Sequence, residues 1–386
     1  MDTNRLTVKL QTLTPLWTGG VETGKMDRIH ETGIIGSLRW WYEAIVRGLG
    51  GNACDPVSRN RKTPLCKFDQ KEYQKVMDKS EEERLTYANL CTACRVFGAT
   101  GWKRRFSLYI EDHTAPTWAD TNIILNVRPP GRTRGWYISS GRTGDIYFHL
   151  SGHEKTLSRI ASLFLFLEKY GAIGAKTQHG YGLFQITNRE DVARMAGSAV
   201  WRDTDGQQQG EAGLPDLRHF GFFHFSFKPS NNDWWSRVNG LERLFGSDKT
   251  AYALKSAVKK NMVPVSPAIR NEWRYNSRSR PAWVDSFFFG TSRGKELKIR
   301  SKLAVSWAFS QKGAWHVRGW AWLPPKDDRD QNINPDHIRR LWQTICDINH
   351  LKRILHAETA SFSAVPDCGE WKTHRPKDII KLLENQ

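Results

Sequence analysis

Cysteine is scarce in this chain, with six in 386 residues. So few thiols over such a length do not make a disulfide framework. Long apolar runs are missing too. The longest, IASLFLFL at 160–167, falls far short of the ~20 residues that span a bilayer. The opening MDTNRLTVKL is polar and charged, so no secretory signal is expected, and the reading is a soluble, cytoplasmic protein. No P-loop, Rossmann fingerprint, nucleophile elbow or H-E-x-x-H is present, and no organic cofactor is expected. Negative charge is also short, with 40 Asp and Glu against 58 Lys and Arg.

What is present follows from that last deficit. The net charge is +18, and there are 17 tryptophans against 10 tyrosines. Cations with flat rings suit a polyanion that carries bases to stack, which means RNA or single-stranded DNA. The plain alternative is a basic surface kept for solubility over a tryptophan-rich core. The charge is uneven: residues 251–300 hold 11 Lys and Arg against 3 Asp and Glu. Within them IRNEWRYNSRSRPAW (269–283) sets Arg270, Arg274, Arg278 and Arg280 between Trp273, Tyr275 and Trp283. Its Ser, Asn and Pro predict an exposed loop whose arginines meet phosphate and whose rings offer stacking faces.

The length allows two domains. RLTVKLQTL (5–13) alternates as a strand, and a helix follows over 34–49. FSLYIED (106–112), NIILNV (122–127) and DIYFHL (145–150) read as strands, 153–171 as a helix and LFQIT (183–187) as a closing strand. Insertions aside, the order is strand–helix–strand–strand–helix–strand, the split pattern of ferredoxin-like and RNA-recognition (RRM-like) domains. Residues 189–216, rich in Gly, Gln and Asp, read as a linker. The second half repeats the order loosely: a strand at 221–229, a helix at 234–245, a hairpin of 302–310 with 315–323, and a helix at 337–355. FGATGWKRRFSLYI (97–110) and FGTSRGKELKIRSKLAVSW (289–307) echo each other, which supports duplication. The expected fold class is α+β, two ferredoxin-like domains in tandem at 1–188 and 217–386, the first carrying an insert at 52–96.

Three motifs carry the chemistry. GIIGSLRWWYEAIVRGLGG (33–51) has an apolar helical face, with Arg39, Glu43 and Arg47 in line on the other and Trp40 beside them. Its first turn, from Gly33 through Gly36 to Ser37, offers a dipole end to a phosphate, and Arg39 and Arg47 then track a nucleic-acid backbone. Alternatively the two arginines only bracket Glu43 at i,i+4 spacing. GAIGAKTQHGYG (171–182) lets the backbone approach a phosphate, with Lys176 for charge and His179 and Tyr181 to stack or hydrogen-bond. Cys54, Cys66, Cys91 and Cys94, the last two a C-x-x-C pair, suit a structural zinc ion. A metal would stabilise an insert poor in core residues. The alternative is four reduced thiols.

TPLWTGG (14–20), GIIGSLRWWYEAI (33–45), CTACRVFGATG (91–101) and GAIGAKTQHGYG, in that order, resemble the RAMP superfamily of CRISPR proteins. The threonine-proline start, the S-L-R-W-W helix and the cysteine-bearing insert are similar to the first-subunit family of the type III-B Cmr effector complex. The resemblance implies a non-catalytic, RNA-binding subunit near the 3′ part of the guide CRISPR RNA. Target single-stranded RNA and other Cmr subunits are then its partners. The RNA-binding residues expected on this reading are Thr18, Gly19, Gly20, Arg28, Gly36, Ser37, Arg39, Trp40, Arg47, Gly174, Lys176, His179, Gly180, Tyr181, Arg270, Arg274, Arg278 and Arg280. The competing reading is a RAMP endoribonuclease using Asp27, in the loop TGKMDRIHE after the first strand, or a histidine, His30 or His179. A lone acid without an assembled site weighs little.

Overall fold

The computed structural model describes the chain except residues 1–3, 23, 56–64, 120–121, 132, 134, 198–200, 202–212, 242–247, 277–279, 292–298 and 385–386. β1 (Asn4–Thr12) buries Leu6, Val8 and Leu10 and leaves Arg5, Lys9 and Gln11 exposed, the two faces of a period-two strand. α1 (Glu31–Gly48) follows, then α2 (Gln70–Lys75), α3 (Glu81–Tyr87) and α4 (Thr92–Phe97) of the insert. β2 (Phe106–Pro116), the short strands β3 (Ile123–Leu125) and β4 (Trp136–Ile138), β5 (Arg142–Gly152), α5 (Glu154–Tyr170) and β6 (Phe184–Ile186) complete the first half. β2, β5, β1 and β6 lie side by side in that order, all antiparallel, and β3 pairs with β4 apart from them.

α6 (Arg189–Ala196) falls inside the expected linker and corrects it. Val192, Ala196 and Trp201 are buried, and the Trp201 indole N–H donates to Ser162 Oγ at 2.8 Å, so these few apolar residues suffice to dock the segment on α5. The second half runs β7 (Phe220–Pro229), α7 (Asp248–Lys259), β8 (Met262–Val263), α8 (Ser266–Tyr275), α9 (Ala282–Phe289), β9 (Leu303–Val305), β10 (Ala308–Gln311), β11 (Ala314–Trp322), α10 (Pro335–Cys346), α11 (Ile348–Leu355), β12 (Ala357–Val365) and α12 (Pro376–Glu384). Its sheet is ordered β12-β7-β11-β10-β8, with β9 also on β11. Both sheets begin with the half's last strand, then its first, then its next-to-last (β6-β1-β5 and β12-β7-β11); the first then ends on β2, whereas the second continues with β10 and β8. Two expected helices differ. Among the described residues of 234–245 a 3-10 turn, Trp234–Arg237, is formed, and 242–245 lie outside the described residues. The helix over 337–355 breaks at Asp347, whose carboxylate accepts the His350 N–H at 2.9 Å and starts α11.

α1 and α5 lie between the two sheets. Trp41 of α1 is 2% exposed, contacts Phe166, Phe220 and Trp320, and donates its indole N–H to Ala172 O at 3.0 Å. One face of β7 and β11 (Phe220, Phe222, Trp320, Trp322) therefore completes the first half's core, while Phe223, Phe225 and Phe227 face the second core. Segments also cross over. Ile379, Leu382 and Leu383 of α12 join the first core, and Ile123, Leu125 and Ile138 of the β3–β4 pair join the second. No helix among the described residues is long and apolar enough to cross a membrane.

The Phe-Gly echo has a structural counterpart. α4 and α9 end in Phe97-Gly98 and Phe289-Gly290, the glycines at φ 90°, ψ 158° and φ 83°, ψ 163°. An L side chain rarely adopts that φ. An arginine from an earlier helix of each half, α1 or α8, holds the glycine carbonyl: Arg39 to Gly98 O at 3.1 Å, Arg274 to Gly290 O at 2.9 Å.

Candidate nucleic-acid interface and cysteine cluster

The four cysteines of the insert converge. Their sulfur atoms all lie within 4.8 Å of one another, with Cys54–Cys94 at 3.5 Å and Cys54–Cys91 at 3.7 Å. A tetrahedron of thiolates at ~2.3 Å from zinc has edges of about 3.8 Å, so the spacing fits a metal ion. Backbone N–H groups of Cys54 and Cys94 donate to Cys91 Sγ, and that of Cys91 donates to Cys66 Sγ. Hydrogen bonds from Cys54, Cys66 and Cys94 lower the pKa of the Cys91 thiol well below its usual range. α2 buries no residue and α3 only Leu85, while Ala53, Leu90, Ala93, Val96 and Phe97 beside the cysteines belong to the first core. A cluster able to hold a metal thus ties the thinly packed α2–α3 stretch to that core.

The charged face of α1 grips this cluster instead of nucleic acid. Glu43 and Arg47 are 5% and 4% exposed. Arg39 Nε donates to Glu43 at 2.7 Å and its Nη2 to Cys94 Sγ at 3.2 Å. Arg47 donates to the carbonyls of Ala53, Cys54 and Pro215 and lies 3.5 Å from Glu43. The expectation that Arg39 and Arg47 follow a phosphate backbone is corrected, because the insert covers that face. The helix also starts at Glu31, so the amides of Gly33 to Ser37 lie within it rather than at its free end. Gly36 and Trp40 remain on the open side, Trp40 at 37% exposed.

The structure does bring together the two glycine-bearing motifs. The Ala175 N–H donates to Trp17 O at 2.7 Å and the Gly182 N–H to Pro15 O at 2.9 Å. Lys176 stands 3.8 Å from the centre of the Trp17 ring and donates to Ser139 Oγ at 2.6 Å. Burial lowers its pKa to about 8. Thr18 ties the loop to the start of α1, accepting the His30 N–H at 3.0 Å. Thr18, Gly19, Gly20, Arg28, Gly36, Ser37, Trp40, Gly174 and Lys176 thus border one half-open to open surface. Arg28 is held by Glu31 at 2.9 Å. Asp27 pairs with His30 at 2.8 Å, a hydrogen bond that lowers the Asp27 pKa.

Gly180 and Tyr181 turn away from that surface, a second correction. Tyr181 is 1% exposed, its hydroxyl donates to Ser139 O, and burial raises its pKa. A Cβ on Gly180 would lie 2.6 Å from Trp307, whose indole N–H donates to His179 O at 3.0 Å. Burial, with Arg270 and Lys176 nearby, lowers His179 to about 4. This end of the turn is a seam between the halves, not a phosphate cradle.

The basic stretch differs most. Residues 266–275 and 282–289 are helices, α8 and α9, not a loop. Arg270 is 3% exposed and donates to Leu303 O, Phe289 O and Ser301 Oγ; burial, with Arg274 beside it, lowers its pKa to about 10. Arg280 is 7% exposed and pairs with Asp285 at 2.9 Å. Arg274 holds Gly290 O, and Arg278 lies outside the described residues. Trp273 is fully buried, while Trp283 is 52% exposed. Amphipathic spacing at Ile269 and Trp273 was the signal for the helix, masked by the polar residues around it.

Sequence reasoning missed one surface. The face of the first sheet away from α1 and α5 shows Tyr109, 64% exposed, stacked on His149, with His113 beside Tyr147. Lys9 lies over Tyr147. Glu111 bonds both histidines, at 2.7 Å and 3.0 Å. The alternation of FSLYIED and DIYFHL carried that signal.

Residues 9–185 match the family model described as the RAMP superfamily. This segment carries the RAMP pattern. It contains the cysteine cluster and the surface joining loop 14–30, α1 and the 174–179 turn, so the motifs that suggested the family fall inside the match. The chain is similar to the apo crystal structure of Cmr1 from Pyrococcus furiosus, at 13% identity and a TM-score of 0.42, covering 95% of this chain and 99% of that one. It is similar to a chain of the type III-B Cmr-beta structure bound to cognate target RNA and AMPPnP in the presence of single-stranded DNA (11%, 0.36, 89% and 99%). Cmr6 from Pyrococcus furiosus is also similar (17%, 0.25, 48% and 99%). Comparison with curated protein sequences gives no match.

Proposed function

We propose that the chain is an RNA-binding structural subunit of a type III-B Cmr effector complex in the cytoplasm. It contacts the 3′ part of the guide RNA, the target RNA, or both. The observation that carries this reading is the RAMP match over the segment in which loop 14–30, the exposed side of α1 and the 174–179 turn share one surface. The net charge of +18 supports a polyanionic partner. The shared placing of last, first and next-to-last strands side by side, β6-β1-β5 and β12-β7-β11, supports two ferredoxin-like domains in tandem. The cysteine cluster is read as a structural zinc site on its donor set and spacing, with Cys54, Cys66, Cys91 and Cys94 as the ligands.

The subunit is read as non-catalytic. Asp27 and His30 pair with each other at 2.8 Å at the exposed start of α1, a local tie that the reading takes as structural, and His179 is held in the seam. The test is binding of single-stranded RNA by the purified chain across salt. With about five phosphate contacts, affinity falls roughly 100-fold from about 50 to about 200 mM salt. A flat profile overturns the RNA reading. Target cleavage by a reconstituted complex survives Asp27→Ala and His179→Ala; if either abolishes cleavage while assembly persists, the enzyme reading wins.

A further inference from the structure

A cleft of about 760 Å³ opens on the second half, away from the first-half motifs and bordered by Asn271, Glu272 and Asn276 of the basic stretch. The segment after β3 supplies Asn126 and Arg128, and the segment after the Trp234–Arg237 turn supplies Asn239. α8 forms the floor with Asn271, and α11 forms the far wall with His350 and Arg353. A second hollow of about 630 Å³ shares Arg353 and His356 and adds Lys352, which extends the cleft into a track.

Its charge is uncommitted. Among the described residues, the side chains of Arg128, Arg237, Lys352 and Arg353 have no ion pair or hydrogen bond, in contrast to the arginines of 270–280. Two acids line the cleft and both are engaged locally. Glu272 accepts from Asn276 and lies 3.7 Å from His350, and Asp347 caps α11. Four cations without partners around a concave surface form a site for a polyanion. Asn271 Oδ1 is buried with no hydrogen-bond partner. A buried acceptor without a donor is unfavourable, so it stands ready for a ligand donor. A carboxamide at the floor of a nucleotide-sized cleft matches the edge of an unstacked base.

We propose that this cleft binds single-stranded RNA, its arginines on successive phosphates and Asn271 on a base seated between α8 and α11. The proposal rests on the RNA-binding reading above and adds a site that the first-half motifs do not include. It places nucleic acid on cations from 126–128, 237 and 352–353 rather than from the basic stretch 251–300.

The test uses the full chain and a short fluorescein-labelled oligouridylate, followed by anisotropy across salt, with uridine monophosphate as a separate arm. Arg237→Ala with Arg353→Ala is expected to weaken binding roughly tenfold and lower the salt slope by about 1.4, at about 0.7 per lost contact on a single strand. Asn271→Leu removes an unpaired acceptor, so thermal stability holds or rises while binding weakens. Photocrosslinking of 4-thiouridine RNA should map to α8 or α11. Wild-type chain that binds no RNA defeats the RNA-binding reading itself. Wild-type binding with an unchanged double variant, equal in affinity and slope, overturns the cleft alone. Mononucleotide binding as tight as that of the oligomer also overturns it, since the track then contributes nothing.

Discussion

The two halves both set their last, first and next-to-last strands side by side but treat their sheets differently. The first sheet packs one face on α1 and α5 and leaves Tyr109, Tyr147 and His149 on the other. The second is covered on both faces, by the first half's helices and by its own. β7 accordingly buries four successive residues, Phe220–Phe223, and so both of its faces at that end, whereas β1 alternates throughout. The difference explains why local charge misleads here. In the second half Arg270, Arg274 and Arg280 lie beneath or between helices and hold backbone carbonyls. A buried guanidinium must meet acceptors at home. Charge density along a sequence therefore maps a surface only where the fold leaves a surface.

The largest expected effect tests whether only the first half depends on a metal. Cys94→Ser, or strong chelation, is expected to release about one zinc per chain and to cost on the order of 5 kcal/mol or more. Proteolysis should then cut first within 52–97 while the second half stays protected. No zinc by elemental analysis, or unchanged stability in the variant, breaks the contrast.

Acid tests the seam. Burial lowers His179, in the seam, and His224 of β7, which meets His316 at 2.9 Å, to about 4, against an ordinary value of 6.5. A depressed histidine pKa means that the unfolded chain takes the proton first as pH falls. The stability from these groups is thus complete above about 6.5 and lost toward about 4, at about 2 kcal/mol each by pH 5. Urea melts at neutral pH and pH 5 read this directly, and His224→Gln should flatten the profile. A pH-independent melt refutes the buried seam.

Gly180→Ala perturbs the same seam more gently. The residue sits at φ 92° against Trp307, so about 2 kcal/mol is expected, read as a drop in the denaturation midpoint. A neutral result would mean that the turn does not bear on the second half.

Much of the architecture was legible because it rests on period. The alternation of β1, β2 and β5 and the helical stripes of α1 and α5 appear in the sequence as they do in the fold. The cysteine cluster was legible from residue type, although the spacing of Cys54 and Cys66 is irregular. The fate of the arginines was not. Arg39 and Arg47 look the same in sequence whether they face solvent or an insert, and nothing local says that residues 52–97 fold back over them. α12 and β4 were hidden for the same reason, and β3, though read as a strand at 122–127, gave no sign that it joins the other half's core. The cleft cations sit in three distant segments, so no window of sequence contains them.

The smallest effect separates folding from function on the one helix that both readings share. Gly36 lies within α1 on its exposed side, and a Cβ there would meet nothing within 4 Å. A glycine in a helix interior costs about 0.5–1 kcal/mol relative to alanine. Gly36→Ala should therefore raise stability by that amount, with no change in the cysteine cluster or the seam. If the open side of α1 is a place where RNA lies against bare backbone, the added methyl weakens RNA binding while the fold gains. Anisotropy and thermal melting on the same preparation distinguish the outcomes. Opposite signs in the two measurements would place RNA on α1. A gain in stability with unchanged binding would remove Gly36 from the interface and leave the first half's contact to loop 14–30 and the 174–179 turn.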